Sequence, residues 1–233
     1  MNDYKIIELL CTSEIDNIAL AEQICAGQGW ELETILKKYG YYDVGICSAD
    51  DFLKKELKCY GRNLLSLPEL LPNSLITLNC YNNQIKQLPK NLPQFLEHLD
   101  CNNNQLTALP DTLPHSLQDL NCGSNQIEQL PNNLPSQLIY LYCRANQIKQ
   151  LPNNLPHTLR HLNCDNNQII ALPDNLPDNL LSLECNNNQI EYSPEKFSKK
   201  LKIMNCAGNP IRNVEVLEKY FYGQNGVWRR KSQ

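Results

Sequence analysis

A chain of 233 residues with a formal net charge of −4 can build a sizeable core, and its slight acidic excess argues against a nucleic-acid backbone as partner, since such binders display a basic stripe. No apolar run reaches the ~20 residues of a membrane span, so no membrane partner is expected, and the opening MNDYKII lacks the basic leader and apolar stretch of a secretory signal. The 11 cysteines are odd in number, which favours reduced thiols and a cytoplasmic setting over a disulfide framework.

Residues 1–56 read as an α-helical N-terminal cap. Apolar residues recur at helical spacing over Tyr4–Leu10, Ile18–Ile24 and Leu32–Leu36. Asp16 and Ser48 are suited to start helices and Gly27, Gly29 and Gly40 to break them, while Cys11, Cys25 and Cys47 are expected in the core of this cap.

From 57 to 212 the chain repeats itself every 21 residues. Cys59, Cys80, Cys101, Cys122, Cys143, Cys164, Cys185 and Cys206 mark the period. Two residues before each cysteine stands a leucine, from Leu57 to Leu183, with Met204 in the last unit. Three after it stands Asn83, Asn104, Asn125, Asn146, Asn167, Asn188 or Asn209, with Arg62 in the first unit. Five after it comes a leucine or isoleucine, from Leu64 to Ile211. The stretch 75–85, LITLNCYNNQI, therefore reads L-x-x-L-x-C-x-x-N-x-I, the leucine-rich repeat signature.

That spacing has a direct physical reading. Alternation around Leu78-Asn79-Cys80 sends Leu and Cys to one face of a short strand and the residue between them to the other. Strands of successive units should pair in parallel about 4.8 Å apart. The asparagine should turn the chain out of the strand and bond backbone groups of its own and the adjoining unit. Thiols in one inward column run side by side, a poor orientation for bridging, and act as small hydrophobes. On the outer side, prolines recur at Pro68, Pro89, Pro110, Pro131, Pro152, Pro173 and Pro194, and again four residues on at Pro72, Pro93, Pro114, Pro135, Pro156 and Pro177. Two prolines so close remove backbone donors and hold φ near about −65°, which predicts extended, polyproline-like backs with Leu88, Leu92, Leu96 and their equivalents turned inward.

An L-P-x-x-L-P back joined to an L-x-x-L-x-C-x-x-N front resembles the LPX class of bacterial leucine-rich repeat proteins, the group of the Yersinia outer protein M and the repeat domains of IpaH-type ligases. The resemblance spans about residues 57–212 and departs from the class in placing Cys where members usually have Val or Leu. It implies an α/β solenoid with short parallel strands on a concave face. It also implies a translocated virulence effector acting on a host protein. Ligase members carry a separate catalytic domain with a reactive cysteine, for which this chain leaves no room after the repeats, so no enzyme is expected.

Residues 213–233 should close the stack with a helix over Val214–Tyr222, followed by a short, solvated basic tail at Arg229, Arg230 and Lys231. The motifs of phosphate-binding loops, zinc proteases and serine hydrolases are absent from the sequence. The 4 histidines are spread out: His115 and His157 fall in a convex column, and His98 and His161 in a concave column roughly 14 Å apart at the strand spacing. Neither a metal nor a cofactor is expected.

Function must then lie in the residues flanking each cysteine, which face solvent. Most are bland: Asn79, Asn82, Asn102, Asn103, Asn121, Ser124, Asn163, Asn166, Asn186 and Asn187. One unit differs. In QLIYLYCR, residues 137–144, the exposed places hold Tyr140, Tyr142 and Arg144, residue types enriched in binding hot spots. Stacking should bring Asp119 and His161 beside Tyr140 and Asp165 beside Arg144, with His98, Asp100 and Glu184 farther out and Tyr81 stacked on Tyr60 near the N-terminal end; the competing reading of the patch is cross-strand packing of exposed aromatics with a weak Arg144–Asp165 surface pair. Phe95 stands alone in a column otherwise polar. The expectation is a monomeric module binding a protein partner through these residues. Binding of a glycan or small polar ligand along the Asn/Tyr ladder, and service as substrate adaptor to a separate ubiquitin ligase, are the alternatives.

Overall fold

The computed structural model describes residues 2–224 and 226–231. Eight short strands, β1 (Glu56–Lys58), β2 (Thr77–Asn79), β3 (His98–Asp100), β4 (Asp119–Asn121), β5 (Tyr140–Tyr142), β6 (His161–Asn163), β7 (Ser182–Glu184) and β8 (Ile203–Asn205), pair in parallel and in strict register. Leu78 faces Leu99, Leu99 faces Leu120, and so on to Met204. The leucine column, the cysteine column and the Leu/Ile column that follows are buried, save that Ile211 at the end of the last is partly exposed. Each back makes a turn in which the carbonyl of the second proline, or of Ser198 in the last, accepts from the leucine three residues on, as from Leu96 to Pro93 at 3.1 Å. The rest of the back is extended, because the prolines deny a helix its donors.

The asparagine ladder is the main polar element of this interior. Asn146, 8% exposed, accepts at Oδ1 from the Ile127 N–H at 2.9 Å. Its amide group donates to the carbonyls of Cys122, Cys143 and Arg144 at 3.0, 3.1 and 3.3 Å. The same pattern recurs at Asn104, Asn167 and Asn188. One side chain thus satisfies groups in two units that the tight coil would otherwise leave unbonded. A second, sparser ladder runs along the back. The hydroxyls of Ser74, Ser116 and Thr158 each donate to two carbonyls of the preceding unit, while Phe95 in the same column is 60% exposed.

The N-terminal part packs α1 (Asp3–Cys11), α2 (Ile15–Gln28), α3 (Leu32–Lys38), α4 (Tyr41–Val44) and a 3-10 turn at Asp50–Leu53 against the first units. Tyr41, 1% exposed, ties this part to the stack by donating from its hydroxyl to the Leu70 carbonyl at 2.7 Å. The Cys11 carbonyl receives the Asn73 N–H at 2.8 Å. Several sequence expectations are corrected here. Asn2, rather than Asp16, caps a helix with its side chain, accepting from the Lys5 N–H at 3.2 Å, while Asp16 lies in the first turn of α2. Gly27 lies inside α2, and Gly29, with φ of 68°, ends it. Ser48 caps no helix; its N–H and that of Cys47 donate to Asp51 at 2.9 and 2.8 Å. That loop leaves Cys47 exposed, outside the core assigned to it.

The C-terminal part departs further from expectation. Helix α5 is shorter than expected, Val214–Tyr220, because the chain turns extended at Phe221. Strand β9 (Phe221–Gln224) follows, and β10 (Val227–Arg230) inserts between β8 and β9, antiparallel to both. The basic tail is therefore largely part of the sheet. The Arg230 N–H donates to the Lys202 carbonyl at 2.8 Å and its guanidinium to the Ser198 carbonyl at 3.1 Å, beside the rings of Tyr220 and Phe221. The physical reason is the last unit's open edge, which β10 covers while burying Trp228 to 5% exposure. Ser232 and Gln233 of the expected tail, like Met1 of the cap, lie outside the described residues. No described helix is long and apolar enough to cross a membrane.

Burial gives the thiols a measurable property. Desolvation pushes Cys59 and Cys206 up to about 11 and Cys122 to about 12, and the other column thiols also rise. Of the 11 cysteines only Cys47 is exposed. A thiol-specific reagent added to native protein at mild pH should modify Cys47 promptly and the remainder only on unfolding. The folded thiols ionise above the ordinary value of about 8.5, so the folded state keeps protons that the unfolded chain releases. Stability should therefore be full below that pH and fall as pH rises above it. Rapid native modification of several thiols, or a flat alkaline profile in denaturant titrations, would contradict the dry column.

Candidate functional site on the concave face

Strict register decides which of the candidate residues meet. Three places before the cysteines the order along the face is His98, Asp119, Tyr140, His161, Ser182; one place before, it is Asp100, Asn121, Tyr142, Asn163, Glu184. Tyr140 and Tyr142 flank Leu141 in β5 and so leave the strand on the same face, their ring centres 6.2 Å apart and their planes 19° apart. His161 of β6 stacks on Tyr140 at 5.1 Å and 12°. Three half-buried, nearly parallel rings make one slab.

Two carboxylates act on this slab. Asp119 pairs with Tyr140 in register and lies 3.9 Å from His98 Nδ1. Burial raises its carboxyl above the usual range, His98 pulls it down, and Asp100 pushes it up again. On the far side Glu184 accepts from the Asn163 amide at 2.7 Å. Burial raises it too, with Asp165 adding and His161 opposing. The Tyr142 hydroxyl is held above its ordinary value by burial first, then by Asp119, Tyr140 and Glu184. Negative charge therefore converges on Tyr142 from both directions along the sheet.

Other candidate residues are engaged elsewhere. Asp100 accepts from the N–H of Asn102 at 3.1 Å and from its side-chain amide, and Asp165 accepts from the Asn186 N–H at 2.6 Å. Among the described residues no ion pair joins Arg144 to Asp165, contrary to the competing reading of the patch. The cause is Gly123. A Cβ there would lie 3.1 Å from Arg144 Cγ, so the missing side chain opens the place in which the stem of Arg144 lies, while Asp165 is committed to Asn186. Tyr81 stacks on Tyr60 at 4.7 Å and 5°, a second aromatic pair three strands away from the slab.

One column assigned to display has a different task. Gly61, Asn82, Asn103, Ser124, Ala145, Asn166, Asn187 and Gly208, each two places after its cysteine, all adopt positive φ, between 52° and 70°. The column is a left-handed turn that every unit must make. Asn and Gly tolerate it, and Asn103 and Asn187 also donate to Asn82 and Asn166 at 2.9 and 3.0 Å. The presence of Gly at both ends of that column was the signal in the sequence.

This coil of strand, asparagine turn and extended back defines a leucine-rich repeat solenoid. The leucine-rich repeat family matches residues 95–115. Among solved structures the chain is similar to YopM, a leucine-rich effector protein from Yersinia pestis, at 31% identity and a TM-score of 0.65, over 74% of this chain and 48% of that one. It is also similar to the leucine-rich repeat domain of a Shigella effector, at 28% identity and a TM-score of 0.66, over 83% of this chain and 87% of that domain. The chain spans about half the length of the Yersinia protein. No curated protein matches it in sequence. The repeats thus resemble the leucine-rich repeat domains of these bacterial effectors, an architecture that supports a protein-interaction module.

Proposed function

We propose that the chain is a non-catalytic, monomeric module that binds a protein partner on its concave face at Tyr140, Tyr142 and Arg144, and that it works as a translocated effector on a host protein in the host cytoplasm. The observation that carries this reading is the β5 unit, which replaces the small amides of its neighbours with a ring slab and an exposed guanidinium at the middle of the sheet. Clustered Tyr and Arg at the centre of a broad surface supply most of the energy in typical interfaces. Similarity to the Yersinia and Shigella effectors supports the proposed setting.

The double variant Tyr140→Ala, Tyr142→Ala should keep the wild-type circular dichroism spectrum, since both rings stand on the outer face. It should lose the partners that wild type captures by proximity labelling in host cells, with hot-spot truncation costing about 2 kcal/mol or more. Unchanged capture would move the binding site elsewhere.

A further inference from the structure

Resting on the reading just given, the geometry points to the chemistry of the partner: we propose that the ring stack receives an arginine side chain from an extended, basic segment of the partner protein, its guanidinium stacking against an uncovered face of the Tyr140, Tyr142 and His161 group and bonding the Asp119 carboxylate, while Glu184, three strands on, meets a second basic residue of the same segment. The ring planes supply the first half of this arrangement. The negative π-faces of the tyrosines attract a planar cation, and rings within 12° and 19° of parallel, their centres 5.1 and 6.2 Å apart, form an offset stack whose uncovered face takes a guanidinium better than a compact ammonium.

The carboxylates supply the second half. Asp119 and Glu184 lie on the strands to either side of the rings, and among the described residues neither makes a close ion pair: Asp119 stands 3.9 Å from the His98 ring, and Glu184 accepts from the Asn163 amide with the His161 ring acting on it from β6. With Asp100 and Asp165 beyond them, four carboxylates stand on β3, β4, β7 and the turn after β6, against two guanidiniums, that of Arg144, whose stem lies over Gly123 at the strand's end, and that of the exposed Arg160 just before His161. The excess is negative where the aromatic surface is centred. Burial already disfavours the charge on Asp119 and Glu184, and an incoming cation would relieve that cost. A neutral or acidic segment finds no such complement.

Selection from a random peptide library displayed on phage tests the idea without presuming a sequence. Wild type should enrich arginine-containing peptides over the Tyr140→Ala, Tyr142→Ala variant and over the charge-neutral variant Asp119→Asn, Glu184→Gln. A synthetic copy of the leading peptide should bind wild type about ten-fold more tightly than the charge-neutral variant, and should weaken steeply as salt is raised from about 50 to about 300 mM. Substituting its arginine with citrulline, or with lysine, should each reduce binding, citrulline more. Peptides enriched without arginine, or no enrichment over either variant, would overturn the proposal. If host-cell capture is lost in the tyrosine variant and kept in the charge-neutral one, the binding site stands and the arginine assignment fails. If both variants capture as wild type does, both readings fail.

Discussion

Replacing Asn146 with alanine should cost about 3 kcal/mol of stability, far more than removing any exposed residue of the same unit. The Ile127 N–H loses its acceptor outright, and the carbonyls of Cys122 and Cys143 keep only the amides of Asn125 and Asn167. A buried donor without a partner costs the full desolvation of that group, which explains why the loss exceeds that of an ordinary hydrogen bond. Asn146→Asp is the sharper variant. It trades a donating amide for a carboxylate pressed against the carbonyls of Cys122, Cys143 and Arg144. Burial and those carbonyls would raise the folded pKa of the new carboxyl above the unfolded value of about 3.9. Its penalty is therefore smallest at acidic pH and grows as pH rises through that value, so guanidinium unfolding of the two variants should diverge with increasing pH. Equal stabilities of Asn146→Asp and wild type at neutral pH would mean that the ladder does not hold the coil.

The other large effect is expected at Trp228. Truncation to alanine should cost about 3–5 kcal/mol, the usual range for a buried aromatic, and should loosen the strand that closes the stack. Trp228 faces Met204 and Gly223 in register, and the neighbouring Gly226 carbonyl accepts the Cys206 N–H at 2.7 Å. Gly226 has no room for a side chain: a Cβ would stand 2.3 Å from Ala207 Cα. In Trp228→Ala, Cys206 should join Cys47 as a thiol that reacts in native protein, and β8 amides should exchange faster. Trp228→Phe should restore most of the protection. A Cys206 that stays inert in the alanine variant would show that the hairpin is not what shields the last unit.

Much of this architecture was legible in the spacing of a few residue types. Leucine, cysteine and asparagine columns foretold the strands, their parallel order and the polar ladder, because each column answers one steric or hydrogen-bonding need that recurs every 21 residues. Outside the period no such averaging helps. The helix expected through Tyr222 ends at Tyr220, since the following backbone, β9, pairs with β10, the strand that covers the edge of β8. The Asn225-Gly226 pair was a hairpin signal in the sequence that the basic character of Arg229 and Arg230 obscured. Within the site, register alone placed Asp119 and His161 beside Tyr140. The direction of Arg144 could not be read so, because it depends on the space left by Gly123 in the preceding unit.

The units interlock only with their immediate neighbours, through the same bonds each time. Gaining or losing one whole unit between the cap and β5 would shift the tyrosines along the surface by about one strand spacing while requiring no kind of contact the molecule lacks. Reach and recognition are thus separable in this fold: copying a unit sets how far the adhesive stretch stands from either terminus, and editing a few letters within one unit sets what it grips.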